Sequence, residues 1–257
     1  MMTSRERVRA ALAHSQPDFT PCDYYATPEI HGALLQHFGL TAAPGASRLA
    51  FTPLGGPGDN LLPERLGTDI RYVAPPYTGP PLPAFPDGSK IDLWGVRRRP
   101  VPNQFGEYAE AVETPFAHWT TAAQAAEHPW PSPDWFDYSA LPAICARYPD
   151  KAIGAGSFGV QDFINGVAFG RGVEQVLLDI AEENPAYLYI VERRHRFFLE
   201  YIERILQAAG GRIDLVLCGD DFGSQRGPLI SPATFDRLFA AKKKELFDLV
   251  HAYGAKV

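Results

Sequence analysis

Hydrophobic residues in this 257-residue chain fall into two patterns, long segments with a helical period and short continuous runs. The segment 185–209 carries Leu188, Val191 and Phe198 on one face, which is typical of an amphipathic helix. The run LVLC, which ends at Cys218, is bounded by glycine and is too short for a helix, so it predicts a buried strand. The alternation of the two patterns predicts a parallel α/β fold.

Capping residues set the limits of several predicted elements. Thr3 and Glu6 form a T-x-x-E capping box before the first helix, and Asn184 precedes a proline at the start of the longest one. Helices are predicted at 4–13, 28–38, 122–127, 141–147, 162–168, 173–180, 185–209 and 231–253. Strands are predicted at 19–25, 70–73, 94–101, 107–113, 152–155 and 213–218, and a further strand begins at 255. Residues 41–63 and 75–86 are rich in glycine or proline and predict loops.

Two carboxylates directly follow the strand that ends at Cys218. The sequence there reads GDDFGSQRGPLISP and contains Asp220 and Asp221. Ligands and catalytic groups collect at the carboxyl ends of strands in parallel α/β proteins. The pair is either a functional site or the polar cap of a strand, and the spacing alone leaves both open. Elsewhere, we expect His195 to be a core histidine and the lysines at 242–244 to face solvent.

Composition restricts the class of protein. The formal net charge of −6 offers no basic surface for nucleic acid or an anionic membrane. No apolar run reaches the roughly 20 residues that span a bilayer. The three cysteines, Cys22, Cys145 and Cys218, are far apart, which argues against disulfides and for the cytoplasm. Each is expected to be a small buried hydrophobic residue.

Several segments, in order along nearly the whole chain, resemble the uroporphyrinogen decarboxylase family. They read SRERVRAALAHSQPDFTPCDYY, ERLGTDIRYVAPP, HPWPSPDWFDYSAL, GRGVEQVLLDIAEENPAYL and GDDFGSQRGPLISPATFDRLF. The family includes decarboxylases and zinc-dependent methyltransferases that act on corrinoid-bound methyl groups. The resemblance implies a single (β/α)8 barrel domain over residues 1–257. It also implies that the chain stops at the start of the fifth strand.

The sequence departs from the decarboxylase branch of the family. Where the decarboxylases carry an arginine-bearing motif after the first strand, this chain has Tyr24 and Tyr25, and it has Phe163 near the position of a family tyrosine. A substrate with eight carboxylates needs fixed cations, which guanidinium groups supply best. The resemblance therefore favours corrinoid-linked methyl transfer. Decarboxylation of a porphyrinogen, a non-catalytic barrel-type binding protein and an inactive fragment remain alternatives.

The resemblance also implies site residues and partners. We expect Asp69, Asp220 and Asp221 to act catalytically at the mouth of the barrel. The positions expected to contact substrate are Tyr24, Tyr25, Phe163 and Gln225. Zinc is the implied metal, and its main ligands are expected beyond Val257, although Asp220, Asp221 or Cys218 could contribute. The implied partners are a small molecule or a corrinoid protein, and a homodimer is possible.

Overall fold

The computed structural model describes residues 1–41, 61–104 and 106–257. The helices are α1 Ser4–Leu12, α2 Pro28–His37, α3 Leu61–Arg65, α4 Ala122–Ala126, α5 Leu141–Ala146, α6 Asn165–Arg171, α7 Val173–Glu182, α8 Pro185–Ala208, α9 Pro232–Phe235 and α10 Ala241–Ala252. The strands are β1 Ile70–Val73, β2 Lys90–Ile91, β3 Arg97–Asn103, β4 Gly106–Ala111, β5 Ala152–Gly156, β6 Leu215–Leu217, β7 Gly223–Ser224 and β8 Gly227–Pro228. A π-helical turn, Asp236–Ala240, joins α9 to α10.

A parallel sheet confirms the predicted α/β class. Its strand order is β1-β5-β6, and an isolated parallel bridge joins Leu215 to Lys256 on the far side of β6. The order across the sheet therefore follows the order along the chain. Separate small antiparallel sheets are formed by β2-β3-β4 and by the hairpin β7-β8. The described residues contain no closed barrel.

One face of the parallel sheet packs on helices. Val73, Ile153 and Val216 belong to a buried cluster that includes Phe198 and Ile202 of α8. Burial of a side chain of this size stabilises a fold by roughly 1.5–3 kcal/mol. The 24-residue helix α8 therefore contributes to the core that covers this face of the sheet.

Charged residues close the amino end of the sheet. Asp214, just before β6, accepts hydrogen bonds from Arg5 Nε at 3.0 Å, Arg9 Nε at 2.7 Å and the backbone N–H of Ile153 at 2.9 Å. The side chain of Asp214 is fully buried. These hydrogen bonds hold helix α1 against the amino end of the sheet. The capping box predicted between Thr3 and Glu6 of this helix is confirmed.

The predicted strand at 19–25 is wrong. In this part of the chain, which the structure describes, no regular strand forms. The carbonyl of Cys22 accepts the Asp69 N–H at 2.8 Å, but the Cys22 N–H donates to the Asp69 side chain instead of to a neighbouring strand. Pro21 has no N–H to contribute, so a regular ladder cannot continue. The segment lies beside β1 without becoming a strand.

The long loop predicted at 41–63 is only partly described. Residues 42–60 lie outside the described residues, whereas Leu61–Arg65 form α3 rather than loop. The hairpin predicted at 94–113 is confirmed in β3 and β4, and residues 75–86 form neither helix nor regular strand.

Cys145 is buried as expected, whereas Cys22 is exposed and Cys218 is half-buried. No described helix combines the length and the hydropathy needed to cross a membrane.

Candidate functional site

Asp220 lies buried at the carboxyl end of β6. Its side chain is 2 % exposed. Oδ2 accepts the N–H of Phe163 at 2.9 Å, and Oδ1 accepts the N–H of Ile164 at 3.1 Å. These amides stand just before α6, where backbone N–H groups lack intrahelical partners. Asp220 therefore ties the loop after β5 to the end of β6.

Lys243 of α10 reaches the same carboxylate from the other side. Its Nζ lies 3.4 Å from Asp220 Oδ2 and donates to the carbonyl of Gln161 at 2.7 Å. The expectation that residues 242–244 all face solvent was wrong for Lys243, which is buried. The signal was present in the sequence, because Lys243 lies four residues after Phe239 and three before Leu246, on the apolar face of the helix.

Asp162 supplies a second carboxyl group beside Asp220. Burial, and then the negative charge of Asp220, raise the pKa of Asp162 from its ordinary value of 3.8 to about 7. Two adjacent carboxylates resist joint ionisation, so one proton is retained near neutral pH. Arg194 of α8 partly offsets this charge. Burial lowers the pKa of Arg194 to about 10, against the attraction of Asp162 and Asp220.

Replacing Asp162 with asparagine is expected to remove a pH dependence of stability. The raised pKa means that the folded chain binds more protons than the unfolded chain between pH 3.8 and about 7, so the free energy of unfolding falls as pH rises through that window. At pH 8 the variant should be more stable than the wild type by at least about 1 kcal/mol, or roughly 2–4 °C in Tm.

The measurement is thermal unfolding of both proteins from pH 4 to pH 8. The difference between the two curves isolates Asp162 from other titrating groups. A difference in Tm that stays constant across this range would contradict the raised pKa of Asp162.

His195 connects α8 to α10 behind the carboxyl pair. Its Nδ1 lies 2.8 Å from Gln161 Nε2, and its Nε2 lies 2.8 Å from Glu245 Oε2. Gln161 Nε2 also donates to the carbonyl of Lys242, so this amide orientation makes Nδ1 an acceptor and places the proton of His195 on Nε2. Burial lowers the pKa of His195 and so favours the neutral ring, against the opposing effect of Glu245. The expectation of a satisfied core histidine is confirmed.

An open cleft of about 560 Å³ lies beside the buried pair. Asp221 is exposed, and its Oδ2 accepts a hydrogen bond from the amide of Asn165. The hairpin β7-β8 forms one wall. The lining residues are Asn165, Asp221, Gly223, Ser224, Gln225 and Leu229. The structure thus brings together two positions predicted from the sequence, Asp221 and Gln225, and adds Asn165, which no motif singled out.

Asp69 is not part of this constellation. It precedes β1 and therefore lies at the amino end of the sheet, opposite to Asp220 and Asp221. There Oδ1 accepts from Arg7 Nη1 at 2.6 Å and Oδ2 accepts from the N–H of Cys22. The expected place of Asp69 at the mouth is corrected, since a residue before a strand lies at the end where the strand starts. Burial alone would raise the pKa of Asp69, but the hydrogen bonds to its carboxylate, that from the Cys22 amide first among them, outweigh burial and lower the pKa.

The three aromatic positions predicted to contact substrate have different surroundings. The Tyr25 ring packs edge-on against Phe158, just after β5, with the ring centroids 5.0 Å apart, so Tyr25 reaches the carboxyl end of the sheet. The Tyr24 hydroxyl lies 3.1 Å from His31 Nδ1 in α2. Phe163 is fully buried and stacks on Phe239, so its side chain belongs to the core rather than to the cleft.

The side chains in this region do not fit a zinc site. In the described ranges, no group of three or more histidine, cysteine or acidic side chains converges. Both Asp220 oxygens already accept backbone N–H groups. Burial raises the pKa of Cys218, which disfavours the thiolate that zinc binds. We therefore assign no step of a reaction to zinc in this part of the molecule.

Searches against protein-family models, curated proteins and solved structures each found no match to this chain.

Proposed function

We propose that this chain belongs to the uroporphyrinogen decarboxylase family and forms strands of a (β/α)8 barrel. The sequential, all-parallel order β1-β5-β6, followed by Lys256, supports this proposal. In a (β/α)8 barrel each strand lies beside the next along the chain, and the active site lies at the carboxyl ends of the strands. The cleft lined by Asp221 and Gln225 lies at that end.

We further propose that the enzyme transfers a methyl group between a corrinoid and a small molecule, and does not decarboxylate porphyrinogens. The charge of the cleft supports this proposal, because Asp221 is the one charged side chain among the described residues that line it. A substrate with eight carboxylates would be repelled there. The two buried cations nearby, Lys243 and Arg194, lie against the carboxyl pair Asp162 and Asp220 rather than in the cleft.

The chain's own residues take separate roles in this proposal. Asp221 and Gln225 bind and orient the small-molecule substrate. Asp220 positions the loop that carries Asn165, and the Asp162 carboxyl holds a proton near neutral pH. The corrinoid, on a partner protein or free, is the methyl-bearing substrate. Asp221 is expected to contact the other substrate.

Two anaerobic assays distinguish the branches. The protein is incubated with uroporphyrinogen, and stepwise loss of carboxylates is followed by chromatography. In parallel it is incubated with methylcobalamin and a panel of thiols and amines, and loss of the methyl-cobalt absorbance is recorded. We expect methyl transfer that falls at least about tenfold in Asp221→Asn, and no decarboxylation. Porphyrinogen turnover above about 1 per second would overturn the choice of branch.

A non-catalytic binding protein is the second candidate. Both Asp220 oxygens accept hydrogen bonds from backbone amides, so this carboxylate stabilises the fold rather than acting on a substrate. This observation favours the binding protein. In that case the cleft would bind its ligand and neither assay would show turnover. Ligand-induced thermal stabilisation without turnover would support this candidate over the enzyme.

A further inference from the structure

Gly223 lies on the wall of the cleft at a position where the fold does not require glycine. Its φ is outside the left-handed region that favours glycine. A Cβ built there would meet none of the described atoms within 4 Å. By contrast, a Cβ on Gly219, four residues earlier, would lie 2.8 Å from the carbonyl oxygen of Phe158. Glycine with open space in front of it allows another molecule to approach the backbone closely.

Asp221 faces the same space with an uncompensated charge. Its neighbour Asp220 has Lys243 at 3.4 Å and three backbone N–H donors, the third being the N–H of Asp221 itself. Asp221 has no ion-pair partner among the residues that the structure describes, and only Asn165 donates to its side chain there. One carboxylate oxygen therefore remains available to a ligand.

The hairpin that forms the wall is held by its own hydrogen bonds. The Ser224 hydroxyl donates to the carbonyl of Gly227 at 3.0 Å and accepts the N–H of Arg226 at 3.2 Å. Leu229 N–H donates to the carbonyl of Phe222 at 2.8 Å. Because Ser224 is hydrogen-bonded within the hairpin, the polar groups left to contact a ligand are the side-chain amides of Asn165 and Gln225 and the carboxylate of Asp221. The wall is formed before any ligand arrives, which lowers the entropic cost of binding.

We propose that this cleft binds the cationic amine group of a small molecule, with the ammonium on Asp221 and the adjoining carbon atoms over the backbone at Gly223. An ammonium group supplies both the charge and the donors that Asp221 lacks, whereas a carboxylate would meet only repulsion. This inference rests on the proposed function and names the chemical class of its small-molecule substrate. The ammonium is the group by which that molecule is bound and, having no lone pair, is not the atom that accepts the methyl group. The cleft volume of about 560 Å³ is in the range of small-molecule sites.

Ethylammonium chloride is the probe, with sodium propionate as its anionic counterpart at equal ionic strength. Binding is followed by amide chemical shifts in NMR titrations. With three non-hydrogen atoms, ethylammonium is expected to bind with a dissociation constant of about 1 mM or weaker. It should shift the amides of residues 221–225, and propionate should not.

Two pairs of variants test the contacts. Asp221→Asn should weaken ethylammonium at least about tenfold, whereas Asp248→Asn, an exposed aspartate on α10, should leave it unchanged. Gly223→Leu should block the cleft, whereas Gly32→Leu, at an equally open glycine on α2, should not. Gly223→Ala is the smaller substitution if the leucine variant does not fold, and it should weaken binding to a lesser degree.

Equal binding of propionate, or ethylammonium binding that survives both Asp221→Asn and the Gly223 substitution, would overturn the inference. The test is separate from the turnover assay. Cation binding without methyl transfer would contradict the proposed reaction and support the amine site. Methyl transfer without cation binding would contradict the amine site and support the reaction.

Discussion

Replacing Asp214 with alanine is expected to lower the free energy of unfolding by roughly 3–5 kcal/mol. The carboxylate is fully buried and accepts from Arg5, Arg9 and the backbone of Ile153. Its removal leaves the Arg5 charge and a buried N–H without their acceptor. Arg9 is half-exposed, so its share of the loss is the smaller one. Equilibrium unfolding in urea measures the effect.

Asp248→Ala is the matched control for this substitution. Asp248 forms an exposed i,i+4 pair with Lys244, which is expected to contribute less than about 0.5 kcal/mol. A loss below about 1 kcal/mol in Asp214→Ala would show that α1 is not fastened to the sheet by this carboxylate.

Asp220→Ala is expected to cost roughly 3–5 kcal/mol as well, at the opposite end of the sheet. The substitution leaves the N–H groups of Phe163 and Ile164 without an acceptor, and it leaves the buried ammonium of Lys243 without its carboxylate partner. Asp220→Asn should cost less, since the amide oxygen can still accept one of these N–H groups.

Asp221→Ala provides the comparison, because Asp221 is exposed and should change stability by no more than about 0.5 kcal/mol. Its effect should appear in ligand binding instead. The two neighbouring carboxylates would then have different roles, one in the fold and one in the cleft. Equal losses of stability in the two alanine variants, measured by urea unfolding, would refute this division.

Much of the fold follows from local sequence. The period of apolar residues in α8, the Asn184 cap and the Thr3–Glu6 capping box were sufficient to predict helices that the structure confirms. The parallel sheet followed from short apolar runs between helices. These features depend on residues close together in the chain, which is why a single sequence reveals them.

Contacts between distant segments were harder to predict. The strand at 19–25 failed because Asp69, 47 residues after Cys22, takes the hydrogen bond that a strand would need. Lys243 was predicted to be exposed because it lies between two other lysines, although its position on the apolar face of the helix indicates burial. The place of Asn165 in the cleft could not be predicted, because its hydrogen bond to Asp221 joins residues 56 positions apart and no local pattern indicates it.

Hydrogen–deuterium exchange with methylcobalamin is the most direct test of the central claim, that the carboxyl end of the sheet is the site. The proposal predicts slower exchange in residues 157–165 and 219–229 when methylcobalamin is added, because the corrinoid must cover the cleft in which Asp221 holds the other substrate. The amino end, around Asp69 and Asp214, should be unchanged. Protection confined to the amino end, or no protection at methylcobalamin concentrations that support turnover, would contradict the placement of the site.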